Sequence, residues 1–157
     1  MTEKNTVTLE DWQIEAFVGK KSDYYKERWL TKSKINWAGV FFSGLWMLHR
    51  KMYKESMITM GAFLAVGMIF EYVFMIDMWG GLGIGLACGI GIGGNDLYRG
   101  KLTRTLKESD GMNQEAQGIY LSLQGGVNPI WKTISFFLIY LVFSIGLFII
   151  VDVILFS

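Results

Sequence analysis

The fold of this chain is decided by the stretch ISFFLIYLVFSIGLFIIV, residues 134–151, in which no side chain carries a charge. Two other uncharged apolar runs precede it, Met57–Phe70 and Met78–Gly94, and all 15 Lys and Arg residues lie outside the three runs. A helix that crosses a membrane needs roughly 20 apolar residues, and positive charge collects on the cytoplasmic side. The sequence therefore predicts an all-α, multi-pass helical membrane protein with every basic residue on one side.

The number of spans depends on Trp37–Leu48, which is apolar but short and has basic residues on both sides. A crossing would place one basic flank outside, whereas a re-entrant or interfacial helix keeps both flanks with a cytoplasmic N-terminus. We expect three spans plus such a helix, although a thin, tilted fourth crossing stays open. The predicted divisions are a cytoplasmic amphipathic helical segment at 1–35, a re-entrant or short membrane helix with a basic end at 36–54, a transmembrane hairpin at 57–94, a cytoplasmic polar segment at 95–132 and a C-terminal transmembrane helix at 133–157.

Local signals place several helix ends. Thr8 with Asp11 predicts a helix start, Gly19 a stop, and Ser22 the N-cap of a second short helix rich in aromatic and basic residues. This N-terminal part lies either on the membrane surface or packs on itself as a small soluble cap. The span predicted over 57–76 is expected to end in a turn at Asp77. The next span is expected to end at the polar pair 95–96, and Asp110 is expected to cap a later helix.

Glycines repeat every fourth residue in the second run, at Gly81, Gly85, Gly89 and Gly93. On a helix they form one smooth stripe, which predicts close packing against another helix of this chain or of a second copy. A dinucleotide-binding loop is a poor interpretation, because these glycines lie inside an apolar run rather than between a strand and a helix.

Glu71 is the ionisable residue that the topology places within a membrane helix. Such a carboxylate is costly and often functional. It marks either a water-exposed outer funnel or a conduction pathway for protons or cations.

The chain offers little for chemistry. It has one Cys, Cys88, and one His, His49, which stands beside Arg50 and Lys51. We therefore expect no disulfide within the chain, no metal site, no cofactor and no catalytic constellation. A net charge of +1 gives no reason to expect nucleic-acid binding.

One motif does stand out in residues 36–53. It reads Asn36-Trp37-Ala38-Gly39, then Trp46, then His49-Arg50-Lys51-Met52-Tyr53. This pattern resembles the hallmark of a bacterial membrane family catalogued as domain-of-unknown-function family 2628, with departures at Gly39, where Ala is expected, and at His49, where Tyr is expected. The resemblance extends over roughly 12–107 and implies a bacterial cytoplasmic membrane but no activity.

The residues of the motif also have a direct physical interpretation. Arg50, Lys51 and Tyr53 are suited to phospholipid headgroups, because basic side chains meet phosphate there and Tyr bridges the interface. They either anchor the short helix or form a specific lipid or protein docking site. Trp37 and Trp46 are nine residues apart and are not expected to share one helix face.

We therefore expect a non-enzymatic scaffold or accessory subunit whose partners are the lipid bilayer and cytoplasmic proteins or a second copy. The alternative is a small transporter or proton- or ion-conducting oligomer, supported by Glu71 and the glycine stripe.

Overall fold

The computed structural model describes residues 9–31 and 35–156, and within them the chain forms helices and no strand. The predicted all-α class is confirmed. The helices in order are α1 Asp11–Val18, α2 Ser22–Thr31, α3 Trp37–His49, α4 Tyr53–Tyr72, α5 Trp79–Glu108, α6 Gln114–Gln124 and α7 Ile130–Phe156.

The first helix ends at the predicted residue, and the second begins at Ser22, which is its first helical residue and not its N-cap. Glu10 and Gln13 form a reciprocal capping box at the start of α1. Gly19 ends α1 with a φ of 73°, a conformation in which glycine is not strained. Ser22 is the first residue of α2. Thr8, the predicted start signal, lies outside the described residues.

The predicted hairpin differs in two places. Helix α4 ends at Tyr72 rather than at Ile76, and residues 73–78 form the connection to α5, in which Met75 has a φ of 56°. Helix α5 does not stop at Asn95 and Asp96 but continues for 30 residues to Glu108. This prediction was wrong because a polar pair does not break a helix whose next turns carry a buried face.

That face has a four-residue spacing, which places its members along one side of the helix. Tyr98, Leu102 and Leu106 are buried on it, and the buried Asn95 precedes them. The backbone carbonyl of Asn95 accepts a hydrogen bond of 2.9 Å from the indole of Trp29 in α2. The packing of α2 against this face therefore holds the helix through the polar pair.

A second cap prediction also changes. Helix α6 is capped by Asn113, whose side chain accepts a hydrogen bond of 2.8 Å from the amide of Ala116, and not by Asp110. A break at 125–129 then separates α6 from α7.

The molecule has two halves with different surfaces. The cap consists of α1, α2, residues 95–108 of α5, and α6. The fully buried side chains of the cap are Phe17, Tyr25, Tyr98, Leu102 and Leu121. The aromatic side of α2 thus packs inside the cap. This agrees with the interpretation in which the N-terminal part packs on itself rather than lying on a membrane surface.

The apolar half consists of α4, residues 79–94 of α5, and α7. Its large hydrophobic side chains are mostly turned outward. Among the described helices, one is long and apolar enough to cross a membrane, over Ile130–Leu155. This one candidate does not support the predicted multi-pass topology. Helix α4 carries charges near both ends and glycine lowers the hydropathy of α5, so neither is a candidate by the same measure.

Candidate functional site

The motif helix α3 is bent back on itself. Ser43, in its middle, has a φ of 37° and a ψ of −112°, which interrupts the helix. Its two ends return to the same place on α5: a Cβ built on Gly94 would lie 3.0 Å from the Trp46 ring and 3.2 Å from the Asn36 amide nitrogen. Residues ten apart in the chain therefore meet beside one glycine.

Asn36 fixes the start of α3. Its side-chain oxygen accepts a hydrogen bond of 3.0 Å from the amide of Gly39, and its own backbone amide donates to the carbonyl of Gly91 at 2.7 Å. Its side-chain nitrogen is buried and has no hydrogen-bond partner. An Asn at this position thus caps α3 and joins it to α5.

The end of α3 is held by Asn128, for which no role is predicted from the sequence. The Asn128 amide donates to the carbonyl of His49 at 2.8 Å, and its side-chain nitrogen donates to the carbonyl of Leu48 at 2.7 Å. Its side-chain oxygen accepts from the Tyr53 hydroxyl at 2.8 Å. These three bonds fasten both ends of the turn between α3 and α4 to the loop between α6 and α7.

Two lysines complete that fastening. Lys51 has a φ of 56°, and its ammonium donates to the carbonyl of Leu123 at 3.0 Å. Lys101 donates to the carbonyls of Lys51 and Gln124 at 2.9 and 2.7 Å. Burial lowers the pKa of Lys101 to about 8, an effect that Glu55 opposes, and burial also lowers the pKa of Lys51.

Arg50 points into the cap instead of toward solvent. It is 5% exposed, and its guanidinium carbon lies 4.8 Å from the ring centroid of Tyr25 and 5.4 Å from that of Tyr98. Cation–π attraction of this kind stabilises a desolvated guanidinium, yet its Nε has no hydrogen-bond partner. Burial raises the pKa of Tyr98 to about 12, and the guanidinium opposes this rise.

These residues surround a cavity of about 590 Å³, which we call the basic cavity. The turn between α1 and α2 forms one wall, the two ends of α3 form another, and residues 126–127 close it. Burial first, and then Arg50 and Lys21, lower the pKa of the His49 imidazole, in the direction that its basic neighbours predict. The side chains that line the cavity and can bear a positive charge are Lys20, Lys21, His49 and Arg50.

A second, apolar groove of about 400 Å³ lies between α3 and α7. It is lined on one side by Phe42 and Leu45 and on the other by Ile130 and Ile134. Ala38, Trp46 and His49 line both the groove and the basic cavity, so the two spaces adjoin.

The six motif residues do not form one cluster. Asn36, Trp46 and Arg50 line the basic cavity, whereas Lys51 and Tyr53 belong to the fastened turn. Trp37 is exposed and stacks on Phe41. The prediction that the two tryptophans do not share a face agrees with these positions.

The glycine stripe contacts no other helix among the residues that the structure describes. A Cβ at Gly81, Gly85, Gly89 or Gly93 would meet no atom within 4 Å. Helix α3 instead packs on Gly91, where a Cβ would clash with Val40, and on Gly94. Because a helix turns about 100° per residue, Gly91 lies close to the opposite face from Gly89. The part of the prediction that concerns a second copy stays a prediction.

Glu71 has a partner that the sequence argument missed. Its carboxylate accepts a hydrogen bond from the indole of Trp79, across the connection between α4 and α5. The Trp79 ring packs against Gly67 and Phe63 of α4. Glu71 thus helps to close this hairpin.

In the part of the chain that the structure describes, no three His, Cys, Asp or Glu side chains are grouped so that they could hold a metal ion.

The fold and the site define an all-helical protein in which a bent helix joins an apolar half to an aromatic-cored cap. The chain belongs to the family described as Protein of unknown function (DUF2628), whose model matches residues 6–104. That range contains α1 to α4 and most of α5, and the family resemblance seen in the motif is confirmed. No curated protein and no solved structure matches the chain.

Proposed function

We propose that this chain is a multi-pass protein of a bacterial cytoplasmic membrane and acts as a non-enzymatic scaffold or accessory subunit. The observation that carries the proposal is the contrast between the two halves. The cap buries most of its aromatic side chains within the chain, whereas α4 and α7 leave many large apolar side chains exposed. Ile58 and Ile139, for example, are 63% and 66% exposed. Apolar surface of this extent needs a cover, and lipid is the cover that the uncharged runs favour.

The bent helix supports a re-entrant rather than a crossing arrangement. Both ends of α3 contact α5 at Gly94, so they lie at one level. The segment near the bend carries Phe41 and Phe42, which are exposed. A short helix that dips into a membrane and returns requires this geometry, with apolar residues near the bend and basic residues at the ends.

A cysteine-accessibility experiment in intact cells tests this topology. Single cysteines at Lys4, Lys54, Gly80 and Ser157, in a Cys88→Ala background, are exposed to an impermeant maleimide. We expect labelling at positions 80 and 157 and protection at 4 and 54. Labelling at 4 with protection at 80 would overturn the orientation, and protection at 4 with labelling at 54 would favour a full crossing at 37–48.

The scaffold role is supported by an apolar pair on the outer surface of the cap. Ile119 and Leu123 are 57% and 67% exposed and are one turn apart on α6. Crosslinking in whole cells followed by purification in mild detergent tests their role. The double variant Ile119→Asp/Leu123→Asp should lose specific crosslinked partners, whereas Ser122→Asp/Gln124→Asp, on the same helix, should keep them. Identical partners in both variants would contradict a docking role for this face.

A further inference from the structure

The basic cavity has the composition of an anion site. The described residues that line it include two exposed lysines, Lys20 and Lys21, the buried Arg50 and the half-buried His49, and none of them is an acid. Cations gathered around one space without a carboxylate repel one another, and an anion in that space relieves the repulsion.

Two residues that line the cavity each carry a buried donor without a partner. The Nε of Arg50 and the side-chain nitrogen of Asn36 have no hydrogen-bond partner, and the two residues are 5% and 1% exposed. A buried donor without a partner is destabilising, because it has lost its hydration and gained no acceptor in exchange. Both groups are donors, and a phosphate group offers only acceptors to them.

The apolar groove beside the cavity favours the phosphate of a lipid over free phosphate as the bound anion. Ala38, Trp46 and His49 form the junction between the two spaces. Beyond it the lining is apolar on both α3 and α7 apart from Thr133. A free phosphate has no apolar part that could contact this groove, whereas the acyl chain of a lipid would fill it.

We propose that the basic cavity binds the phosphate of an anionic phospholipid and that an acyl chain of the same lipid lies in the groove between α3 and α7. The inference rests on the proposed membrane location. Lys20 and Lys21 draw the headgroup in from the surface, and Arg50 and Asn36 donate to it at the inner end. The lipid thereby bridges the cap, the bent helix and α7.

Titration of the purified protein in a non-ionic detergent, followed by native mass spectrometry, tests the site. The probes are phosphatidylglycerol, phosphatidylcholine with the same acyl chains, and inorganic phosphate. We expect phosphatidylglycerol to bind about tenfold more tightly than phosphatidylcholine, because basic groups near a membrane surface favour anionic lipid. We expect inorganic phosphate to be a poor competitor, because it cannot occupy the groove.

Two pairs of variants separate headgroup from chain. Lys20→Gln/Lys21→Gln should remove the preference for phosphatidylglycerol, whereas Lys54→Gln/Lys107→Gln, which removes equal charge from exposed positions elsewhere, should keep it. Ala38→Trp should fill the junction and weaken both lipids. Ala65→Trp, at an exposed position of α4, should weaken neither.

Equal affinity for the two lipids in wild type would overturn the proposal, and so would an unchanged preference in the Lys20 and Lys21 variant. Efficient displacement by inorganic phosphate, with no effect of Ala38→Trp, would identify a site for free phosphate and contradict the lipid. These measurements in detergent do not depend on the labelling in cells, so a failure of the topology and a failure of the lipid site are distinguishable.

Discussion

The cap and the apolar half use apolar residues in opposite ways. In the cap, Phe17, Tyr98 and Leu102 are fully buried against one another and their neighbours. In α7, Val142 and Ile154 are each 70% exposed, although the helix is the most apolar in the chain. Burial of apolar area within the chain stabilises the cap directly, whereas the apolar half depends on what surrounds it. The same kind of side chain therefore specifies the fold of one half and, under the proposed function, the membrane location of the other.

The largest effect should come from the centre of the cap. Tyr98 contacts Phe17, Tyr25 and Trp46 with ring centroids 5.3, 5.1 and 6.5 Å apart. Tyr98→Ala should lower the free energy of unfolding by about 3–5 kcal/mol, the cost of removing a large buried aromatic ring. Denaturation in detergent, followed by tryptophan fluorescence, measures it. Ile139→Ala, on the outward face of α7, should change the free energy by no more than about 0.5 kcal/mol, and equal effects would break the contrast between the halves.

A smaller effect should separate the two glycine faces of α5. Gly91→Ala should destabilise by about 1–3 kcal/mol, because the new methyl group clashes with Val40. Gly85→Ala meets open space and should stabilise by about 0.5–1 kcal/mol through the lower helix propensity of glycine. Thermal melting of the two variants checks the difference. A loss of stability or a smaller oligomer in Gly85→Ala would show that a second copy covers the stripe.

The fastened turn between the halves should make stability depend on pH. The pKa of Lys101 is lowered from 10.5 to about 8, so the unfolded chain holds the proton more tightly between these values. Stability should therefore rise as the pH increases from about 8 toward 10, and Lys51, whose pKa is also lowered, contributes in the same direction. Melting temperatures across this range measure the slope. Lys101→Met should flatten it, while the exposed control Lys107→Met should not; an unchanged slope in Lys101→Met would place its origin elsewhere.

The smallest effect is expected at Glu71. Glu71→Gln keeps an oxygen that can accept the Trp79 hydrogen bond, so stability should change by less than about 0.5 kcal/mol. Glu71→Leu should lose about 1 kcal/mol. Melting of both variants tests the structural role. Proton flux into proteoliposomes tests the conducting alternative: a wild-type flux that Glu71→Gln abolishes would favour conduction over the scaffold.

The signals that predicted the structure correctly are local. Gly19 ends α1 through the backbone freedom of glycine, a property that the sequence displays directly. The continuation of α5 past Asn95 depends on Trp29, which is 66 residues away. The four-residue spacing of Tyr98, Leu102 and Leu106 indicates that the helix continues, whereas the polar pair before it favours a helix end.

The candidate site was visible from the sequence only in part. The motif points to Asn36, Trp46 and Arg50, and all three line the basic cavity. Lys20 and Lys21 belong to a turn that reaches the cavity only when the cap folds. Asn128 lies outside the range that the family model matches. Because it stands between two glycines and a proline, the local sequence indicates only a break between two helices. Its contacts are 75 to 80 residues away in the chain, a separation over which local patterns carry no information.

The unbroken course of α5 has a mechanical consequence. A helix of 30 residues is about 45 Å long, and this one begins in the apolar half and ends in the cap as one continuous α-helix. This helix therefore connects the two halves directly. If the apolar half lies in a bilayer, as we propose, a tilt of that end of α5 would displace the cap, so that a change in bilayer thickness would move the cap relative to the membrane surface.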